Sequence, residues 1–210
     1  GAALSTKALR LICDRVTGTD ISEQMIQVCQ EEYKNDKAYT FYRAKAEETK
    51  EPVEKYDIVT AAGMVNWVDR DLFLRNMGRV LQDQGILLIY DFWITDKMQG
   101  NDSYTNWYQN EYLKRFPKPP RNETIWKQEE LPDDFQIKNQ ITYELAYDFS
   151  MEQFIDFMMI QSNVNIKLES GAVNEKNARD WLEKSLTPVF ENREKTLYFK
   201  GYNWYIYKLG

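Results

Sequence analysis

Short apolar runs alternate with segments of helical periodicity in the first part of the chain. The run V-T-G-T-D predicts a strand ending at Asp20, and Ile26, Cys29 and Tyr33 follow it at the spacing of one helix face. Further strands are predicted at residues 38–44, 56–61 and 86–90, and further helices at residues 4–12, 69–82, 150–159 and 174–186. This alternation is typical of an α/β fold, a doubly wound, Rossmann-like and mostly parallel sheet.

The pattern changes between Ile94 and Asn139. This segment is polar, lacks strong periodicity and holds four of the six prolines, at positions 117, 119, 120 and 132. We therefore predict a lid or substrate insertion at 94–139 within a single domain that spans residues 1–210. The closing run T-L-Y-F-K-G-Y-N-W-Y-I-Y-K predicts an antiparallel strand at the C-terminal edge of the sheet.

Composition narrows the class of protein. The 210 residues are 43% hydrophobic, include 14 Tyr, 10 Phe and 6 Trp, and carry a formal net charge of −6. We find no basic tract for nucleic acid, no apolar run of membrane-spanning length and no signal peptide, so we expect a cytoplasmic protein without those partners. The chain has no histidine, and its two cysteines lie far apart in sequence, which argues against a metal site or a Ser-His or Cys-His nucleophile.

Asp20 is the first candidate for a binding role. In open α/β sheets, ligands lie beyond the carboxyl ends of parallel strands, where an acidic residue binds the hydroxyls of a ribose. Ser22 and Glu23 follow as the N-cap and first-turn acid of a helix. Asp20 is thus predicted either to bind a nucleoside cofactor or to act as a turn residue.

Four segments then occur in an order that resembles class I S-adenosylmethionine (SAM) dependent methyltransferases. They are G-A-A-L-S-T-K-A-L, V-T-G-T-D-I-S-E-Q-M, A-K-A-E-E with Y-D-I-V-T-A-A-G-M-V-N-W-V-D, and R-V-L-Q-D-Q-G-I-L-L-I-Y-D-F. Together they cover roughly residues 1–92. Within that family the chain is most similar to small-molecule enzymes such as the trans-aconitate and ubiquinone/menaquinone-pathway methyltransferases.

The resemblance implies SAM as cofactor and assigns residues to it. The cofactor-binding residues it implies are Gly1, Ala3, Asp20, Ile21, Ala46, Glu47, Ala61 and Ala62. Glu47 is expected to accept from the adenine amine or to cap its loop, and Lys45 stands where relatives often carry Asp. Members of the family usually carry a strand that ends in acid-x-Gly-x-Gly-x-Gly. This sequence begins inside that motif, with Gly1 at the position of the middle glycine, so we expect further sequence upstream. Ala3 replaces the last glycine, which requires a negative φ there.

The acceptor is expected to be a small molecule, and a carboxylate is favoured because it needs no general base. Aromatic walls suit the sulfonium of SAM, and arginines suit a carboxylate. The substrate residues we predict are Trp67, Trp93, Tyr104, Trp107, Tyr108, Arg115, Arg121 and Met158, with no catalytic base assigned and the oligomeric state left open. A nicotinamide-dependent Rossmann oxidoreductase and a non-catalytic SAM-binding module are the alternatives.

Overall fold

The computed structural model describes residues 3–122 and 125–210. Contacts divide the chain into two compact units. Unit 1 comprises Gly1–Asp91, Glu123–Ile141 and Asn203–Gly210, and unit 2 comprises Phe92–Asn122 and Thr142–Tyr202. Among the described residues, no helix combines the length and apolar character that a membrane crossing requires. Gly1, which was assigned to the cofactor, lies outside the described residues.

Unit 1 opens with a parallel strand pair flanked by helices. Its first elements are α1 (Leu4–Leu9), β1 (Val16–Asp20), α2 (Glu23–Glu32) and β2 (Tyr39–Arg43). β1 and β2 are parallel, and Asp20 at the end of β1 lies opposite Arg43 at the end of β2. The side chains of Ala3, Ile26, Cys29 and Phe41 form a small buried cluster. The predicted strand, helix and strand are therefore confirmed.

The second half of unit 1 repeats this arrangement. It contains β3 (Tyr56–Ala62), a 3-10 turn (Val65–Trp67), α3 (Arg70–Val80) and the start of β4 (Leu81–Met98). β3 and β4 are parallel. Asp69 caps α3, because its Oδ1 accepts the Leu72 N–H at 2.9 Å. The predicted apolar face of this helix is confirmed: Phe73, Met77 and Val80 are all buried.

Four strands form one sheet in the order β3-β4-β6-β5, where β5 is Phe135–Phe149 and β6 is Lys195–Lys208. The prediction that the C-terminal strand lies at the edge is wrong, because β6 lies inside the sheet and β5 ends it. The burial of the two strands is consistent with β6 inside the sheet and β5 at its edge. Alternate residues of β6, including Leu197, Phe199 and Ile206, are buried, whereas most of β5 is exposed.

Unit 2 is a helical unit built on an aromatic core. Its helices are α4 (Asp102–Trp107), a π-helical turn (Tyr108–Tyr112), α5 (Leu113–Arg115), α6 (Met151–Met159), α7 (Ser162–Glu169) and α8 (Glu175–Phe190). A capping box starts α6, because Ser150 and Gln153 are bonded reciprocally. Buried rings from the first helices pack with Phe154 and Phe190. Much of the segment predicted as a lid is thus part of this core.

Candidate functional site

Asp20 holds the turn at the carboxyl end of β1. Its Oδ1 accepts the Ser22 N–H at 2.8 Å, and the Ser22 Oγ accepts the Met25 N–H at 3.3 Å. A carboxylate has about four acceptor sites, so it can accept several hydrogen bonds at once. The adjacent Ile21 is 66% exposed and offers an apolar surface beside the carboxylate. The structure therefore brings Asp20 and Ile21 together at a strand end.

Side-chain hydrogen bonds link the loop containing Ala46 and Glu47 to α3 and its N-cap. The Asn76 Nδ2 donates to the Ala46 carbonyl at 2.8 Å and to the Thr49 Oγ1 at 2.9 Å. The Glu47 Oε1 accepts the Asp69 N–H at 3.1 Å. Glu47 thus ties this loop to the start of α3, which is the loop-capping alternative, while its other oxygen stays available to a ligand.

Asn76 and Arg79 are positioning residues that the sequence analysis missed. The Arg79 guanidinium donates to the Thr49 carbonyl at 2.7 Å and to the Asn76 Oδ1 at 2.8 Å, and also to the Glu51 carbonyl. Buried polar side chains of this kind need partners, and these bonds supply them. The available signal was an Asn and an Arg three residues apart beside the apolar face of a helix.

Ala3 adopts the left-handed conformation, with φ 57° and ψ 13°. The expectation of a negative φ is therefore wrong. Ala3 is 6% exposed, and its carbonyl accepts the Lys7 N–H at 2.7 Å to begin α1. A left-handed backbone costs a residue with a Cβ roughly 1–2 kcal/mol. Strain of this kind persists where the surrounding structure determines it, often at functional sites.

Three hydroxyl groups connect the start of α1 to the neighbouring strands. The Ser5 Oγ lies 3.1 Å from the Thr60 Oγ1 in β3 and 2.5 Å from the Tyr90 hydroxyl in β4. No sequence motif indicated this cluster. This cluster fixes the start of α1, which follows the glycine-motif position at Ala3, against the parallel strands β3 and β4.

The carboxyl end of β3 is shaped for close approach of a ligand to the backbone. Ala61 is buried and Ala62 is exposed. Gly63 follows in the left-handed region at φ 62°, and its N–H donates to the Tyr90 carbonyl at 2.8 Å. A Cβ at Gly63 would lie 3.3 Å from the Asp91 Oδ1. Glycine therefore keeps this strand end open.

Trp67 lies in the 3-10 turn after β3 and is 48% exposed. Among the tryptophans only Trp67 and Trp93 are more than a third exposed. The role of Trp67 in lining a pocket stays a prediction.

A cavity of about 60 Å³ lies within unit 2. Trp93, Tyr108 and Arg121, three of the predicted substrate residues, line it. The other lining residues are Ile94, Tyr112, Lys118, Pro119, Gln161, Ser162 and Asn163. This volume accommodates about two water molecules or one small polar group. Its two cationic side chains favour a negatively charged group.

Two tyrosines of the π-helical turn form part of this cavity wall. The Tyr112 hydroxyl lies 3.1 Å from the Asn163 Oδ1, and the Asn163 Nδ2 donates to the Phe116 carbonyl at 2.8 Å. Burial raises the pKa of the Tyr112 hydroxyl. Burial, and then the nearby Asp96, also raises the pKa of Tyr108. Both phenols stay protonated near neutral pH and act as hydrogen-bond donors.

Five predicted substrate residues do not line this cavity, and one of them, Trp67, belongs to unit 1. Tyr104, Trp107 and Met158 belong to the core of unit 2 and are at most 1% exposed. Helical spacing of aromatics fits a core as well as a pocket, and here packing decides. The Arg115 guanidinium lies 5.0 Å from the ring centroid of Trp181 in a cation–π contact.

The described residues include no cluster of acidic, Cys or His side chains able to hold a metal ion. Cys13 is partly exposed and Cys29 is buried, and both are free thiols. In unit 1 the residues assigned to the cofactor offer an acid and an apolar side chain at the end of β1 and exposed backbone at the end of β3.

Comparison with known proteins finds similarity to methyltransferases in the first part of the chain. Residues 1–89 match the family model described as a methyltransferase domain. The ubiquinone/menaquinone biosynthesis C-methyltransferase UbiE of Shewanella sediminis is 36% identical over 96 residues. This match covers 42% of the chain and 38% of that relative's length.

Solved structures share the fold along the whole chain. A putative type II methyltransferase from Anaeromyxobacter dehalogenans has a TM-score of 0.69 at 19% identity and covers 100% of this chain and 86% of its own. A putative methyltransferase from Bacillus halodurans has a TM-score of 0.57 at 17% identity, with coverages of 100% and 90%. The predicted fold class is confirmed. Residues 1–89, less than half of the chain, thus match a methyltransferase domain, in agreement with the predicted resemblance to SAM-dependent methyltransferases.

Proposed function

We propose that this chain transfers the methyl group of SAM to a small acidic molecule. The observation that carries the acidic acceptor is the unit 2 cavity, where Lys118 and Arg121 lie beside two tyrosines that stay protonated. The match to UbiE extends over less than half of either chain. It therefore supports SAM as the cofactor, but it does not support the acceptor of that relative as the acceptor of this chain.

The residues of unit 1 fit SAM in chemical type. Asp20 would bind the ribose hydroxyls as a hydrogen-bond acceptor, and Ile21 would contact the adenine ring. The backbone at Ala46 would face the adenine edge, and the open strand end at Gly63 would admit the methionine part. When bound, SAM supplies an electrophilic methyl group on a sulfonium. The chain's task is to position both reactants and exclude water.

The unit 2 cavity supports recognition of an anion by charge and hydrogen bonds. An arginine binds a carboxylate with two parallel N–H bonds, and a lysine adds a point charge. Tyr108, whose pKa burial raises, can donate a further hydrogen bond, whereas the Tyr112 hydroxyl already donates to the Asn163 Oδ1. A cavity of about 60 Å³ holds the anionic group and not a whole metabolite.

An anionic acceptor also agrees with the lack of an evident general base. The chain has no histidine. The Asp69 carboxylate accepts the Leu72 N–H as a helix cap, and tyrosines with raised pKa values are poor bases at neutral pH. A carboxylate arrives already nucleophilic, so orientation and charge pairing are sufficient for the reaction. The free thiols and the net charge of −6 support a cytoplasmic metabolite, not nucleic acid, as the target.

Calorimetry with SAM, S-adenosylhomocysteine and NAD tests the cofactor assignment. We expect both sulfur compounds to bind and NAD not to bind. Binding of NAD alone would favour the oxidoreductase. Binding of SAM without turnover of any acid in a metabolite panel would favour a non-catalytic SAM-binding module.

Replacing Arg121 by Met tests the acceptor assignment, with Arg115→Met as matched control. Both variants lose a guanidinium and keep similar bulk, but only Arg121 lines the cavity. We expect Arg121→Met to raise the KM for the acid by about tenfold or more without changing the Kd for SAM, and Arg115→Met to leave both near wild type. Equal turnover of an acid and its neutral amide by Arg121→Met and wild type would contradict the acidic acceptor alone.

A further inference from the structure

The cavity of unit 2 has a buried floor and an exposed rim. Three of its lining residues, Tyr108, Tyr112 and Asn163, are at most 8% exposed, whereas Ser162 and Lys118 are exposed. A cavity of about 60 Å³ with such a rim admits one polar group of a ligand and leaves the remainder of that ligand outside. The chemistry of the lining residues therefore selects a particular group.

The amino end of α7 forms one wall of this cavity. α7 begins at Ser162, after the N-cap residue Gln161, and both residues and Asn163 line the cavity. The first N–H groups of a helix have no partner within the helix. Gln161 makes no capping hydrogen bond with its side chain, and its Nε2 donates instead to the Phe157 carbonyl at 3.1 Å. A helix start of this kind carries about half a positive charge and binds anions through its N–H groups.

The Tyr108 hydroxyl is a second donor at this cavity. Tyr108 is 8% exposed, and within residues 3–122 and 125–210 no hydrogen bond joins its hydroxyl to another group. Burial, and then the nearby Asp96, raises its pKa, but the Asp96 carboxylate accepts the Gln109 Nε2 and does not line the cavity. Buried hydroxyl groups have hydrogen-bond partners in native proteins. This one points to an acceptor atom that a ligand brings.

We propose that this cavity binds the phosphoryl group of a phosphorylated acceptor, held by the amino end of α7, Tyr108, Lys118 and Arg121. The inference deepens the proposed function and rests on it for the role of the cavity as the acceptor site. The phosphoryl group is the part of the acceptor that is bound. No bond to phosphorus changes, and the nucleophilic atom that takes the methyl group lies on the part of the acceptor outside the cavity.

The charge of the cavity favours a phosphoryl group over a carboxylate. Lys118 and Arg121 contribute one positive charge each, and the start of α7 adds a partial charge. Among the described residues that line the cavity, none is acidic. A phosphomonoester carries a charge of about −1.5 to −2 near neutral pH, whereas a carboxylate carries a single charge. The phosphomonoester therefore balances the cavity more closely.

The number of donors favours the same group. The N–H groups of Ser162 and Asn163, the hydroxyls of Ser162 and Tyr108, and one donor from each cationic side chain can all bond to an anion in the cavity. A carboxylate has only about four acceptor sites. The three oxygens of a phosphoryl group accept more hydrogen bonds. The donors also come from three separate segments of unit 2, which suits a tetrahedral group better than a planar one.

Methylphosphonate and acetate test this preference, because the two ions share a methyl group and differ in the anionic group. We would titrate each into the full chain by calorimetry at mildly alkaline pH, where the phosphonate carries two charges. We expect methylphosphonate to bind at least about tenfold more tightly than acetate. Absence of methylphosphonate binding, or acetate binding as tight, would overturn the phosphoryl assignment. Neither SAM nor turnover enters this measurement, so its failure is distinct from a failure of the methyltransferase proposal.

Ser162→Pro tests the role of α7, because it removes the N–H at the first position of the helix. Proline is tolerated there, and Gln161 already has the extended backbone, φ −69° and ψ 143°, that precedes a proline. We expect methylphosphonate affinity to fall by at least about tenfold, and by less in Ser162→Ala, which keeps the N–H. Glu175→Pro makes the same change at the first position of α8, away from the cavity, and should not alter the affinity. Equal affinities in the two proline variants would overturn the proposal.

Tyr108→Phe separates binding from folding. The hydroxyl has no partner among the described residues, so its removal should leave the free energy of unfolding near wild type and weaken methylphosphonate binding by about tenfold. Lower stability with unchanged affinity would make Tyr108 structural and overturn its role. With an acid that the chain methylates, methylphosphonate should also raise the apparent KM for that acid and leave kcat unchanged. Inhibition or activation that does not compete with the acid would make the cavity a regulatory anion site and overturn the assignment to the acceptor.

Discussion

Asn76 holds the Ala46 carbonyl at 2.8 Å from within α3, and its side chain is the main support of the loop assigned to adenine. Asn76 is 6% exposed and uses both ends of its amide, donating to Ala46 and Thr49 and accepting from Arg79. A residue of α3 thereby sets the geometry of the loop that is proposed to contact the cofactor.

Replacing Asn76 by Leu should therefore affect both stability and cofactor binding. The change leaves buried polar partners unpaired, which costs about 1–3 kcal/mol in the free energy of unfolding. We expect the Kd for SAM to rise by about tenfold, measured by calorimetry beside chemical denaturation. Asn110→Leu, which removes an exposed contact with Asn106, is the control. Reduced stability with unchanged SAM affinity would separate this loop from the cofactor.

Asp20 should show two separable functions. Asp20→Asn keeps an oxygen for the Ser22 N–H but loses the charge, whereas Asp20→Ala loses both. A lost turn cap of this kind costs roughly 1 kcal/mol, and each charge-assisted bond to the ribose is worth about 1.5–3 kcal/mol. We expect at least about tenfold weaker SAM binding in both variants and reduced stability only in Asp20→Ala. Wild-type affinity in Asp20→Asn would leave Asp20 as a turn residue.

The fold of unit 1 was predictable because its signals are local. Strand ends, caps such as Ser22 and Asp69, and the apolar face of α3 are each encoded within a few residues. β5 was missed although all its odd-numbered residues except Asn139 are apolar or aromatic. They are Phe135, Ile137, Ile141, Tyr143, Leu145, Tyr147 and Phe149. Its polar start and the prolines before it resembled a loop, and the position of β6 depends on pairing distant in sequence.

The proposed site could be predicted at strand ends that family motifs record, and not where tertiary contacts support those strand ends. Asp20 and the Ala46 loop follow strand ends, which a motif records. The contacts from Asn76, Arg79 and Tyr90 span 30 or more residues to their partners, so no short pattern contains them. The acceptor residues were hardest to predict, because helical spacing places aromatic rings in a core or at a cavity equally well.

The left-handed backbone of Ala3 predicts its tolerance of substitution. Ala3→Gly relieves roughly 1–2 kcal/mol of strain but loses a buried methyl worth about 0.8 kcal/mol and adds chain entropy on unfolding. We therefore expect it to change the free energy of unfolding by less than about 1 kcal/mol. Ala3→Val should cost about 3 kcal/mol, because a branched side chain is strained at φ 57°. Ala8→Val, an exposed position of α1, should cost only about 0.5 kcal/mol. Equal costs at both positions in denaturant unfolding would contradict a strained Ala3.

The lid at residues 94–139 stays a prediction. The structure indicates which part of this segment should exchange its amide hydrogens fast enough to act as a lid. Tyr104, Trp107, Tyr108, Tyr112 and Phe116 bury their side chains in the core of unit 2, so the amides of this helical stretch should exchange slowly. Residues 117–122 have no helix or strand, and Lys118 and Arg121 of this stretch line the cavity. We expect fast exchange there in the free protein and slower exchange once S-adenosylhomocysteine and an acidic acceptor are both bound, because ordering these residues around the anion closes the cavity.

α8 provides an internal control whose protection should not change. Protection of residues 117–122 in the free protein equal to that of α8 would make this stretch a fixed part of unit 2, and the acceptor would then have to enter without a lid.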